Sequence, residues 1–330
     1  MPRIMIVLLG GTITMTPGGP GGLVPTLSAA DLVASVPGLD RLARLETVSP
    51  MRVASASIPV DALVELAAEL GRRLAGEFDG AVVIQGTDTI EESAFLLDLL
   101  VPGDAPVVVT GAMRGPQTPG ADGPANLLAA VSVAAAPAAR GLGALAVLND
   151  QIHAARWVSK GHTALPSAFV SPSAGPLGLV AEGRVLIHAR PSRFAPVVLP
   201  PQAPLHQDCP VALVRMALGD DDRMLRALPS LGYRGAVVEA MGAGHVPADV
   251  VPACAWLAGQ MPVVLASRVA AGPAFTRTYA YPGSEVDLLG RGLIPAGSLS
   301  GPKARLLLAL LLRSGLAGEA LVQAFGERAG

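Results

Sequence analysis

Short runs of consecutive apolar residues recur along this chain, each followed by a stretch whose apolar residues return at helical spacing. The runs are RIMIVLL (3–9), AVVIQ (81–85), PVVVTG (106–111), ALAVLN (144–149), PVALVRM (210–216), GAVVEA (235–240) and PVVLAS (262–267). Helical patterns lie at 60–75, 89–100, 123–135, 220–231, 247–259 and 302–313. A strand apolar at every position must be covered on both faces, which a parallel sheet flanked by helices achieves. The expected class is therefore α/β, mostly parallel, with ligands at the C-terminal edge of the strands. A proline-rich stretch around Pro196, Pro200, Pro201, Pro204 and Pro210 interrupts the alternation. It reads as a linker between two doubly wound α/β domains. The expected division is a larger N-terminal domain at 1–190, a linker at 191–209 and a smaller C-terminal domain at 210–330.

Composition excludes several classes. With 51% hydrophobic and 15% charged residues in 330, the chain can build two sizeable cores and is not disordered. A net charge of −2 and 3% aromatics supply neither the basic stripe nor the stacking platforms of a nucleic-acid binder. The run LLLALLL (306–312) is too short to span a bilayer, and the apolar start MPRIMIVLLGG reads as a first core strand, not a leader. Neither a membrane nor a nucleic acid is an expected partner, and a cytoplasmic location is expected. Cys209 and Cys254 stand alone, so free thiols are expected. The five histidines form no ligand cluster, and no metal or other cofactor is expected. Of 24 basic residues only Lys160 and Lys303 are lysines, so a lysine here calls for a reason that arginine would not meet.

Four strand ends carry unusual residues. After the first, Gly10-Gly11 permits a tight turn that presents Thr12, and TPGGPGG (16–22) is either a surface loop or a lid over it. After the second comes QGTDTIEE. Thr89 has capping-box spacing to Glu92 and reads as a helix cap, which leaves Thr87 and Asp88 at a positive helix end. In TGAMRGPQTPGADGPANLL (110–128), Asp122 reads as an N-cap followed by Pro124, and Arg114 as a partner for a carboxylate. In LNDQIHAARWVSKGH, Lys160 is either a solvated lysine or a partly desolvated base for a threonine hydroxyl.

Taken in order, GGTIT (10–14), QGTDTIEESAFLLD (85–98), GAMR (111–114), ADGPANL (121–127), VSK (158–160), GPLG (175–178) and PKARLLL (302–308) closely resemble the bacterial asparaginase/glutaminase family over essentially the whole chain. The resemblance implies hydrolysis of L-asparagine to L-aspartate and ammonia, with water as co-substrate. Thr12 of GGT matches the nucleophile, and Thr87, Asp88 and Lys160 match a proton relay. Ser55 matches the residue that holds the substrate α-carboxylate, while Asp88 also holds the α-amino group. The turns at Gly11 and Gly86 would supply backbone N–H donors. Glu285 and His245 align with residues that a neighbouring subunit contributes, and a homotetramer built from dimers is implied.

Three departures from the family pattern bear on substrate preference. The family's lid tyrosine is replaced at or near Gly22, its glutamine after the carboxylate-binding serine is Ala56, and its asparagine is His245. Glutamine or a related amino-acid amide is the alternative substrate, and a non-catalytic amino-acid-binding protein the alternative class.

Overall fold

A computed structural model of the chain describes residues 1–17, 23–25, 27–200 and 209–329. The expected lid at 16–22 and linker at 191–209 therefore fall partly outside the described residues. The strands are β1 (Arg3–Leu8), β2 (Met15–Pro17), β3 (Leu23–Pro25), β4 (Arg44–Val48), β5 (Gly80–Ile84), β6 (Val107–Thr110), β7 (Ala144–Leu148), β8 (Gln151–Ala154), β9 (Ser159–Lys160), β10 (Phe169–Val170), β11 (Gly178–Ala181), β12 (Arg184–Ile187), β13 (Val211–Arg215), β14 (Gly235–Ala240), β15 (Val263–Ser267) and β16 (Ile294–Pro295). The helices are α1 (Ala29–Ala34), α2 (Leu39–Leu42), α3 (Val60–Leu74), α4 (Ile90–Leu100), α5 (Gly123–Ala135), α6 (Arg223–Ala227), α7 (Val251–Ala258), α8 (Glu285–Gly290), α9 (Gly301–Arg313) and α10 (Gly318–Ala329). Two compact units meet in the sequence between Pro196 and Val197.

The N-terminal unit holds an eight-stranded sheet in the order β12-β11-β8-β7-β6-β5-β1-β4. Strands β4, β1, β5, β6 and β7 are parallel, and β8, β11 and β12 continue antiparallel. Every residue of β5 and β7 is buried, as their unbroken apolar sequences require. Val82 and Ile84 of β5 share a core with Leu127, Ala130 and Ala134 of α5, while α3 and α4 pack together elsewhere in the unit. From β1 the chain goes first to β4 on one side, then crosses to β5 on the other. The reversal opens a crevice between the C-terminal ends of β1 and β5, where ligands bind in open α/β sheets. The C-terminal unit has an all-parallel sheet, β13-β14-β15-β16, with α7 in its core and α9 packed on β13 and β14. Both units are α/β, as the alternation of runs predicts. Among the described residues no helix is long and apolar enough to cross a membrane.

Some elements depart from the expected pattern for local reasons. Strand β4 (RLETV) carries charges because it lies at the sheet edge, paired only with β1. The helix expected at 220–231 shortens to Arg223–Ala227, with Pro229 and Gly232 just beyond it. Cys254 is buried in α7, where desolvation pushes its thiol up to about 11.

His153 of β8 is 1% exposed. Its Nδ1 lies 2.9 Å from Ser171 Oγ, and burial pushes its pKa down from 6.5 to about 4. Between those values the unfolded chain takes up a proton that the folded chain refuses, so stability is lost as pH falls through that window. The full loss is about 3 kcal/mol. The urea midpoint is expected to fall more steeply between pH 6.5 and 4 in the wild type than in His153→Phe. Equal slopes would remove His153 from the acid response.

Candidate active site

Strands β1 and β5 end in register, Leu8 opposite Ile84, and the Leu9 N–H donates to the Ile84 carbonyl at 2.8 Å. Immediately beyond, the two turns touch through glycines. Gly11 has φ +98°, and a Cβ placed there would lie 2.2 Å from the backbone nitrogen of Gly86. A Cβ on Gly86 would in turn lie 2.7 Å from Ser55 Oγ. Only glycine allows this three-way approach, and Thr12 and Thr87 are the residues next after the two glycines. Thr12 begins a short 3-10 turn stabilised by the Thr14 hydroxyl, which donates to the Gly11 carbonyl at 2.8 Å. The side chain of Thr12 is half-buried and that of Thr87 is buried.

Lys160 arrives from β9, which pairs with β10 through Lys160 and Phe169. Its Nζ donates to Thr87 Oγ1 at 2.9 Å and to Asp88 Oδ1 at 2.7 Å. The lysine side chain is 16% exposed and the aspartate 67%, so the hydrogen-bonded chain runs from a buried hydroxyl to a solvent-facing carboxylate. Ser55 lies in a one-turn 3-10 segment after β4, and its buried Oγ accepts the Asp88 N–H at 3.2 Å. That N–H is thereby occupied, so of the backbone donors expected at the two turns it is not one. Five expected site residues, Thr12, Ser55, Thr87, Asp88 and Lys160, thus fall at or beside one sheet edge, and the contact of Gly11 with Gly86 holds the turns together.

His245 and Glu285 form a second constellation in the C-terminal unit. Glu285 starts α8 with 0% exposure. Its Oε1 accepts the backbone N–H groups of Thr278 (2.9 Å) and Tyr279 (2.7 Å), and its Oε2 lies 3.2 Å from His245 Nε2. Burial alone would push this carboxyl up, but the donated N–H groups and His245 outweigh it and hold the pKa below the usual range. A carboxylate only accepts, so a neutral His245 carries its proton on Nε2. Its Nδ1, 3.0 Å from Tyr281 Oη, then accepts from that hydroxyl. Tyr281–His245–Glu285 is a continuous hydrogen-bonded chain ending at an exposed phenol.

Two family models cover the chain: residues 3–193 match the asparaginase N-terminal domain and residues 210–325 the glutaminase/asparaginase C-terminal domain. The chain belongs to the asparaginase family. A probable L-asparaginase of Deinococcus radiodurans is 36% identical over 335 residues, covering 99% of this chain and 98% of the relative. A glutaminase-asparaginase of Pseudomonas fluorescens biotype A is 32% identical, covering 99% of this chain and 91% of the relative. The crystal structure of a probable cytoplasmic L-asparaginase from Campylobacter jejuni is similar with a TM-score of 0.85 and 29% identity. The match covers 98% of this chain and 99% of that one.

Within this asparaginase-family chain several sequence expectations need correction. Thr89 stands at the helix start but makes no side-chain cap hydrogen bond. Its hydroxyl donates to the Ser55 carbonyl at 3.2 Å and accepts from Gln85 Nε2 at 3.1 Å, so it ties the Ser55 turn to the Thr87 turn. Asp122 likewise occupies the N-cap position of α5 without capping it; its carboxylate turns to the backbone of Met113 and Arg114. Arg114 donates to the carbonyl of Gly120 where a carboxylate partner was expected. Tyr281 carries no spacing signal in the sequence, where it stands in a loop two residues after Tyr279. Its clue is that it stands four residues before Glu285.

Proposed function

We propose that this chain is an L-asparaginase, with Thr12 as nucleophile and Thr87, Asp88 and Lys160 as a connected proton relay. The observation that carries the reading is the placement of Lys160 Nζ within hydrogen-bond distance of both Thr87 Oγ1 and Asp88 Oδ1. The hydroxyl of Thr12 is inert at its ordinary pKa and must lose its proton as it attacks the side-chain amide carbon. That proton passes to the departing nitrogen, which leaves as ammonia. Water then attacks the acyl-threonine ester, giving one of its protons through Thr87 to the relay; as the ester C–O bond breaks the relay returns that proton to Thr12 Oγ, and aspartate departs with the Thr12 hydroxyl restored. Lys160, hydrogen-bonded to both Thr87 Oγ1 and Asp88 Oδ1, connects the hydroxyl to the carboxylate and lets a proton pass between them. Backbone donors at the turns of Gly11 and Gly86 lie beside the reacting carbonyl and favour the oxyanion.

The exposed carboxylate of Asp88 takes the substrate ammonium group, and Ser55 Oγ, already accepting from the Asp88 N–H, donates its own proton to the α-carboxylate. Glu285 and His245 act from a neighbouring subunit in a homotetramer built from dimers. Cytoplasmic action is part of the same reading and is supported by the description of the Campylobacter relative.

Ala56 favours a second reading, an amidase of broader or shifted preference. It is exposed beside Ser55, and its methyl group leaves space and removes an amide donor at that position. Comparing kcat/KM for L-asparagine, L-glutamine and D-asparagine decides between them. The first reading requires L-asparagine to lead. A larger value for another amide would move the assignment to the second.

A further inference from the structure

The segment between β6 and α5 is clasped from one side by a polar pair, half-buried Asp122 and buried Asn126. Asp122 Oδ2 accepts the Met113 N–H and Oδ1 the Arg114 N–H, each at 2.9 Å. Asn126, 1% exposed, donates from Nδ2 to Asp122 Oδ2 at 3.0 Å and to the Gly111 carbonyl at 2.9 Å. Its Oδ1 accepts the Asn149 N–H at 2.9 Å, anchoring the pair to the turn between β7 and β8. Residues 111–114 are thus held to the first turn of α5 at both ends.

On its other side the same segment lies beside Thr87. A Cβ placed on Gly111 would lie 2.4 Å from the Gln85 carbonyl oxygen and 3.4 Å from the methyl group of Thr87. One residue along the helix, a Cβ on Gly123 would lie 2.9 Å from Ile13 Cγ1, beside Thr12. The start of α5 therefore packs against the neighbour of one threonine and, through Gly111, backs the other. Threonine has three staggered χ1 wells, and rotation out of the observed one carries Oγ1 away from Lys160.

We propose that Asp122, with Asn126, is a positioning residue for Thr87. By fixing residues 111–114 beside the threonine methyl, with no room for it to turn towards Gly111, it keeps Oγ1 directed at Lys160. The effect on turnover rests on the reading of Thr87 as a relay hydroxyl; the effect on its rotamer does not.

Asp122→Asn is nearly isosteric but has one acceptor oxygen where two are used, so one backbone N–H loses its partner. In protein labelled at threonine methyls, the three-bond couplings of Thr87 should report one χ1 well in the wild type and an average in the variant. A fixed rotamer in both would overturn the proposal, whatever the reaction. With L-asparagine, kcat is expected to fall about thirtyfold, in the range that small misplacements of reacting groups cost. KM should change less than about threefold, because the substrate contacts are untouched. In a Thr87→Ser background there is no methyl to hold, so Asp122→Asn should cost less than about threefold further. Full multiplication of the two effects would also overturn the proposal. Asp122→Glu keeps both acceptor oxygens and guards against misfolding of the first variant; it should recover most of the lost kcat. A wild type that turns over no asparagine but shows the rotamer change would sink the functional reading and leave the positioning intact.

Discussion

Replacing Thr12 by alanine is expected to lower kcat for L-asparagine by about four orders of magnitude, the scale seen when a covalent nucleophile is removed. The fold has little to lose. The turn that carries Thr12 is set by the conformation of Gly11 and by Thr14, whose hydroxyl and N–H both bond the Gly11 carbonyl. Substrate affinity should also survive, because in the proposed reading Asp88 and Ser55 hold the ends of the amino acid and neither depends on Thr12. Calorimetric titration with L-aspartate alongside the ammonia assay separates the two effects. Equal turnover in wild type and Thr12→Ala would remove Thr12 from the mechanism.

Lys160→Met tests the relay from its other end. Methionine matches the length of the lysine stem but can neither donate nor hold charge, so Thr87 Oγ1 and Asp88 Oδ1 both lose their bridging partner. A positioned proton carrier contributes typically 10²–10⁴-fold, and kcat is expected to fall by about 10³. Breaking a buried ion pair would also damage the fold, because one charge would be left without water. Here the abandoned partner is Asp88, 67% exposed, which can turn to solvent. Thermal unfolding should therefore stay within a few degrees of wild type while turnover collapses. Near-normal turnover would refute the relay; a large drop in Tm would show that the pair is structural.

The architecture was legible because its central strands are apolar at every position. Strands β5 and β7 could only be buried on both faces, and helices between them could only be crossovers. What escaped notice lies where burial is one-sided. β4 mixes charges with apolar residues at an edge, and β8, β11 and β12 are short antiparallel additions beyond the parallel core.

The two lysines were legible for a compositional reason. In a chain that uses arginine almost everywhere, Lys160 is 16% exposed and Lys303 only 2%.

Thr89 and Asp122 were misread for a shared reason. Spacing identifies a residue that can cap a helix, yet a short polar side chain at a helix start faces two sets of backbone groups. In both residues the donors or acceptors of a neighbouring loop won over the helix's own N–H groups. No one-dimensional pattern reveals which loop will be adjacent. The same limit hid the chain from Tyr281 through His245 to Glu285, whose members come from two different loops and a helix start.

In the proposed function the crevice between β1 and β5 hydrolyses the side-chain amide of asparagine. Its most direct test is the release of ammonia and aspartate from L-asparagine by the purified chain, both products quantified over many turnovers. Catalytic release of the two in equal amounts is expected. Binding of L-asparagine or L-aspartate with no ammonia above the uncatalysed rate would contradict it and make the chain an amino-acid-binding protein.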